Sequence, residues 1–338
     1  MCDVWINGYR RYCLINQVSI LGENVVTASK IRQLCDQWCE AAQNDGGGFS
    51  IGHNTEQYRL LRNGVQFHEL CYFQLIASVE GLTKVLLLPG LNTVVDQDHY
   101  GLWSWSAEVI LSREIGYFKN EERDLRKLFE TVIRSALTQC RKPTATEEEW
   151  SQQVEIENQI SHNARYFIQE SSTAMAYLCF PLLEGIAKKT CLNYLDFNGQ
   201  VISAFSVPSR NGGTRTYDPN SSRWTDKKCS SLKDLLWLVF NTVADQHLKN
   251  SITEFRAHIS NLDSLEDPFD VIYRWRNESL HGTTSFQTIG GTLLNLVLLI
   301  ILHQLSAEYS SKREVIIEHC RWNTQTGVRS PWSFYPPY

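Results

Sequence analysis

The sequence predicts a mainly α-helical protein, a helical N-terminal domain followed by a C-terminal helical bundle. Three observations carry this. Apolar residues recur at three-and-four spacing in one segment after another, the pattern of a helix with one buried face. In the N-terminal half, strand-like alternation is confined to Arg11–Leu21, and is weak there. Glycine, proline and polar clusters fall between the periodic segments, where turns are expected.

Thr27 or Ser29 can cap a first helix running through Asn44, with Ile31, Leu34, Cys35, Trp38 and Cys39 on its apolar face and Gly46-Gly47-Gly48 ending it. A long helical stretch is expected from Thr55 to Leu88, stopped by Pro89-Gly90. A loop follows, then a helix from about Asn120 with Leu125, Leu128, Phe129, Val132 and Ile133 on one face. The polar stretch 141–149 (RKPTATEEE) holds a proline, switches charge sign and reads as a linker. It divides the chain into a domain over 1–145 and a bundle over 146–315, with an aromatic, proline-rich tail over 316–338. The bundle's helices are expected at about 150–170, 173–192, 230–247, 251–261, 267–281 and 284–311. Residues 193–229 read as extended chain with a long loop. Glu80-Gly81-Leu82-Thr83-Lys84 is echoed by Glu184-Gly185-Ile186-Ala187-Lys188, which fits either a duplicated unit or coincidence.

With 338 residues, 43% of them hydrophobic and 20% charged, the chain can bury a sizeable core and is neither disordered nor fibrous in composition. A net charge of −5 gives no global basic field, so attraction to nucleic acid must come from a local patch. The 10 cysteines are scattered, and the first residues lack a basic stretch followed by an apolar run. A reducing, cytoplasmic setting is expected, with most thiols packed as small hydrophobes. The apolar run Leu293–Leu302 is shorter than the roughly 20 residues that cross a bilayer, so it reads as a core helix and no membrane partner is expected. Cys35/Cys39 and His319/Cys320 have no second pair at zinc spacing, so no metal and no cofactor are expected. Phosphate-cradling glycine loops are not found either.

The chemistry concentrates in Tyr273-Arg274-Trp275-Arg276-Asn277-Glu278-Ser279-Leu280-His281-Gly282. On a helix, Asn277 and His281 share a face. Arg276 lies about 100° around from Asn277 and can reach the same spot. Gly282 would end the helix and leave His281 at an accessible edge. Such an imidazole moves protons near neutral pH, while a guanidinium grips a phosphate through paired hydrogen bonds and stabilises charge developing on it. With the RNA 2′-OH as nucleophile the set needs no metal. A histidine and a glycine also simply end helices well. The full string Arg-Asn-x₃-His-Gly, by contrast, is expected by chance in about one chain in a thousand of average composition.

Around this string the order of elements resembles the HEPN superfamily. The helix Ala174–Cys191, a middle helix, the Arg-Asn-x₃-His-Gly helix and a long apolar helix follow one another over about residues 150–312. The family hallmark is Arg-x₄₋₆-His, often with a polar residue after the arginine, which Arg276, Asn277 and His281 match. The resemblance implies a metal-independent endoribonuclease, a toxin or antiviral effector, acting as a homodimer whose two motifs form one composite site. An antitoxin or regulatory partner is implied as well. Catalytically inert members also exist, so the alternative is a non-catalytic HEPN module that dimerises or binds a partner. Glu184, on the helix packed beside the motif by this resemblance, is a supporting candidate that pairs with Arg276, His281 or merely Lys188.

The loop Val207–Lys233 carries Arg210, Arg215, Arg223, Lys227, Lys228 and Lys233 with Tyr217 and Trp224 interleaved. Cations alternating with aromatics suit single-stranded RNA, though a solvated loop has the same composition. Arg62-Asn63 with His68 is a weaker second string. His303 reads as a satisfied core histidine. The tail Pro331–Tyr338 is aromatic enough to dock on the body or a partner.

Overall fold

The computed structural model describes residues 26–44, 54–88, 95–140, 146–209, 212–261, 266–279, 286–325 and 334–336. The strand expected at Arg11–Leu21 and the glycine triplet at 46–48 lie outside these residues. The mainly α architecture is as expected. In chain order the helices are α1 (Ala28–Asn44), α2 (Tyr72–Leu86), α3 (Gln97–Leu111), α4 (Arg123–Leu137), α5 (Glu147–Gln159), α6 (His162–Gln169) and α7 (Ser171–Thr190). A two-stranded antiparallel hairpin follows, β1 (Phe205–Pro208) and β2 (Thr214–Tyr217). Then come α8 (Leu232–Leu238, continued by a π-helical turn at Val239–Val243), α9 (Gln246–Ser260), α10 (Pro268–Ser279), α11 (Phe286–Gln304) and α12 (Ser306–Gln325).

The apolar helix α11 is the axis of the molecule, with α7 and α2 packed along it. Consecutive glycines make this possible. A Cβ on Gly290 would stand 3.2 Å from the backbone of Ala176 in α7, and one on Gly291 would stand 2.9 Å from Leu86 in α2. The echoed motif does similar work on the two flanking helices. A Cβ on Gly81 would meet Cys35 of α1 at 2.6 Å, and one on Gly185 would meet Leu125 of α4 at 2.5 Å. Each glycine therefore lets the preceding long helix approach closely.

The boundary expected near residue 145 does not divide the core. Buried residues from Ile31 and Trp103 through Leu183 and Ile300 form one cluster. Polar contacts inside it also cross the boundary. Trp103 Nε1 donates to Asn295 Oδ1 at 2.7 Å, and Asn295 Nδ2 donates to Thr83 Oγ1 at 2.9 Å. The polar stretch read as a linker does not separate two cores, because residues on both sides of it supply walls for α11.

Four elements differ from expectation. The stretch 55–71 is not helical with α2 but forms short 3₁₀ turns, because Gly64 takes a left-handed φ of 79° and the Asp98 carboxylate accepts the N–H groups of Leu60 and Leu61 at 2.5 and 3.0 Å. The segment read as a loop before Asn120 contains α3, whose residues are buried almost all round and so show no polar face to count. The helix expected at 150–170 breaks at Ile160-Ser161, where Ser161 caps α6. The last helix bends by 97° at Leu305, and α12 runs on to Gln325, so the tail does not begin at 316. Among the described residues no single helix is long and apolar enough to cross a membrane.

The described tail residues do dock on the body. Phe334 is buried beneath the Arg134 guanidinium, 4.9 Å from its ring centroid, and the N–H groups of Phe334 and Tyr335 donate to Glu108 Oε1. Tyr335 bonds His68 Nδ1 at 2.9 Å and stacks edge-on against Trp105.

Candidate functional site at the meeting of α7 and α10

Helix α10 begins as its sequence dictates. Asp267 accepts the N–H of Phe269 at 2.9 Å, and Pro268 occupies the first turn, where its missing N–H costs nothing. Phe269, Val271, Ile272 and Trp275 turn inward. Arg256 ties the start of the helix down, pairing with Asp267 at 2.6 Å and lying over the rings of Trp237, Phe240 and Phe269. With that face fixed, Arg276 follows Trp275 at the edge of the buried stripe, and Asn277 is exposed.

Arg276 Nη2 stands 3.6 Å from Glu184 Oε2 on α7, an ion pair too long for a good hydrogen bond. Glu184 Oε1 meets Lys188 Nζ at 2.8 Å. The carboxylate therefore bridges two cations, one on each helix. Of the three partners expected for Glu184, Arg276 and Lys188 are both engaged. Helix α10 is described to Ser279; Leu280, His281 and Gly282 lie outside the described residues, as does Arg210.

The basic loop comes to the same end of α7. Cys229 N–H donates to Gly199 O at 2.8 Å and Val201 N–H donates to Lys227 O at 2.9 Å. A Cβ on Gly199, itself at φ +80°, would lie 3.8 Å from Lys188 Cε. The base of the loop thus rests beside Lys188, one helical turn from Glu184. Its cations fall into two groups. Arg215 lies over the Tyr217 ring at 4.6 Å, reaches Asp234 at 3.4 Å and donates to Thr225 O, so it braces the hairpin. Lys233 is committed to Asp270 at 2.7 Å. Arg223 and Lys228 are exposed, Lys227 is half-buried, and Trp224 between them is 68% exposed.

The weaker second string is accounted for structurally. Arg62 pairs with Glu56 at 2.6 Å, Asn63 Nδ2 donates to the carbonyls of Gln57 and Arg59, and His68 is held by the tail. Burial, reinforced by Arg321 and Arg313, pushes the His68 pKa down to about 4.

Two buried polar clusters were not foreseen from the sequence. One is a directed chain. Ser251 Oγ donates to Glu80 Oε1 at 2.6 Å, so it accepts from His303 Nε2 at 3.2 Å, leaving Nδ1 to accept from Tyr72 OH at 2.8 Å. Arg32 closes the chain on Glu80 Oε2 at 2.8 Å. His303 is thus the satisfied histidine expected of it. The carboxylate here sits on the serine rather than on the imidazole, and Ser251 is buried, so the chain is not arranged as a nucleophilic triad. The other cluster sets Asp96 against buried His99 at 2.9 Å and Arg59 at 3.2 Å, beside Asp98, whose pKa burial and Asp96 push up to about 7. Asp96 also caps α3, a role that Asp-x-Asp-His ahead of an apolar run could have signalled. Among the described residues no group of three or more histidine, cysteine or acidic side chains is placed to hold a metal ion.

No family model matches the chain, and neither a curated protein nor a solved structure matches it.

Proposed function

We propose that the C-terminal half is a HEPN-type endoribonuclease that cleaves RNA without a metal, with Arg276, Asn277 and His281 as its reacting set. The observation that supports the reading is the Arg276–Glu184–Lys188 bridge, through which the arginine of the string on α10 meets α7. In this reading the substrate 2′-oxygen attacks the adjacent phosphorus as the bond to the 5′-oxygen breaks. His281 moves protons between the 2′-OH and the leaving 5′-oxygen, Arg276 holds the phosphate, and Asn277 orients the imidazole. The products are a 2′,3′-cyclic phosphate and a 5′-hydroxyl. Glu184 and Lys188 keep Arg276 positioned, and Arg223, Lys227 and Lys228 with Trp224 offer phosphate and stacking contacts to the single strand.

The test is incubation of the full chain with total RNA and defined oligonucleotides in EDTA. Cleavage of RNA but not DNA is expected, reduced at least about a hundredfold by His281→Ala and Arg276→Ala with the helical circular dichroism unchanged. Cleavage of DNA, or a requirement for divalent ions, would sink the mechanism. Growth arrest on expression, relieved by His281→Ala, is expected of a toxin or antiviral effector. The second reading, a non-catalytic HEPN module, draws on the same bridge, since Glu184 already neutralises Arg276 within the chain. It predicts no cleavage by the wild type and no growth difference between wild type and His281→Ala.

A further inference from the structure

Phe197 stands at the tip of a tight turn, where glycine, proline, asparagine, aspartate and serine are the usual residues. The turn is closed from several directions. Gly199 N–H donates to Asp196 O and Asp196 N–H donates to Gln200 O, both at 2.9 Å. Asp196 Oδ1 accepts the Gln200 N–H at 2.8 Å, and Gly199 takes a left-handed φ of 80°. Leu195 and Val201 pair across the base and are buried. The tip is left facing water, and Phe197 is 44% exposed. An aromatic ring held out on fixed backbone forgoes burial in the fold and keeps a flat apolar face open to a ligand.

The surroundings of the turn name the chemistry of that ligand. Gly199 lies against Lys188, where a Cβ would stand 3.8 Å from Cε, and Lys188 bonds Glu184, the carboxylate paired with Arg276. Phe197 is two residues from Gly199, at most about 7 Å of chain. Gln200 pairs with Lys228, and Val201 N–H donates to Lys227 O at 2.9 Å, so two lysines run alongside the turn. Asp196, the acid of the turn, is taken up by the Gln200 N–H. An aromatic face beside cations suits a nucleotide, whose base stacks on the ring while its phosphate meets the lysines. A base inside a duplex is already covered by its neighbours, so the ring is open only to an unpaired one.

We propose that Phe197 is a substrate-stacking residue: an unpaired base flanking the phosphate gripped by Arg276 lies on its ring, and the strand passes Lys227 and Lys228 toward Trp224. The inference rests on the ribonuclease reading for its ligand, and adds to it the residue that sets the register of the strand on the site. Trp224, whose carbonyl accepts the Lys227 N–H at 3.1 Å and whose side chain is 68% exposed, takes a base further along.

The experiment has a binding arm and a cleavage arm, both on the full chain in EDTA. Binding is read by fluorescence anisotropy of a labelled single-stranded RNA of about 12 nucleotides, within the span of a single-strand groove, in a His281→Ala background that leaves the RNA uncut. Phe197→Ala should weaken binding about tenfold, the loss of one stacked base, with helical circular dichroism unchanged. Phe197→Tyr should bind within about twofold of the parent, because it keeps the ring. Ile202→Ala, which removes an apolar side chain 55% exposed on the same element, should change nothing. In the cleavage arm Phe197→Ala should raise KM about tenfold at nearly constant kcat, the mark of lost uniform binding. A parent protein that does not bind the single strand, a Tyr variant as weak as Ala, or an equal loss in Ile202→Ala would overturn the proposal. Cleavage by the wild type with an unchanged KM in Phe197→Ala would overturn it and leave the ribonuclease standing. Binding that depends on the Phe197 ring without any cleavage would sink the ribonuclease and uphold the stacking site.

Discussion

Ser251 shows how much one hydroxyl organises inside this protein. It accepts from His303 and donates to Glu80, so the Ser251→Ala change leaves a buried carboxylate oxygen short of a donor. A loss of about 1–3 kcal/mol is expected, read as a lower urea midpoint with an unchanged slope. Arg32→Ala should cost less, about 0–1 kcal/mol, because that guanidinium is nearly half exposed and water replaces much of what it contributes. At His68 the folded-state pKa of about 4 lies below the ordinary histidine value near 6.5, so the folded protein binds fewer protons there than the unfolded chain. Its contribution is therefore complete above pH 6.5 and is lost as pH falls toward 4. The Tyr335 fluorescence environment and the stability should change together through that window, and His68→Asn should flatten the dependence. A pH profile equally steep in the variant would show that another group controls it.

Among the elements, the paired glycines on α2 and α7 make a graded prediction. Gly81→Ala pushes a methyl group against both Cys35 Sγ and Cβ, at 2.6 and 3.0 Å, on a side chain too short to move aside. Gly185→Ala meets the tip of Leu125, which can rotate, and the alanine also favours the helix by about 1 kcal/mol. Gly81→Ala is expected to destabilise by about 1–3 kcal/mol and Gly185→Ala to be close to neutral. Equal costs, measured by chemical denaturation, would mean that the two helix crossings are equally tight. Helix α1 was legible in sequence because one face is buried and the other wet, so Ile31, Leu34, Cys35, Trp38 and Cys39 stand at helical spacing. Helix α3 was not, because Asp98 through Ala107 are buried on every side and periodicity needs a polar face to contrast with. The turns over 55–71 were hidden for a different reason. Their backbone donors are satisfied by Asp98, distant in sequence, and no local pattern announces that capture.

At the scale of the whole molecule, α11 explains why the halves fold as one. Its glycine pair lets α2 and α7 close on it from two sides, and Asn295 in its centre satisfies Trp103 and Thr83 of the first half. A fragment of residues 1–145 would expose the apolar faces that α11 covers, so it is expected to be unfolded or aggregated alone. The full chain should unfold in one cooperative transition followed by both circular dichroism and tryptophan fluorescence. Two separated transitions, or a folded soluble fragment, would restore the two-domain division that the polar stretch at 141–149 suggests.

The sequence by itself determined the helical class, the capped start of α1, the central apolar helix and the basic, aromatic composition of the loop. Each rests on neighbours a few residues apart, where spacing and capping chemistry act. It also singled out Arg276 and Glu184, through a rare string and an ordering of helices. Only the tertiary structure decided that Glu184 bridges Arg276 to Lys188, that Arg215 and Lys233 brace the chain, and that His303 belongs to a directed chain of hydrogen bonds. Apart from Glu184 with Lys188, one helical turn away, these contacts join residues tens to hundreds of positions apart. Burial sets which polar groups must find one another, and local sequence carries no record of the partner that packing will supply.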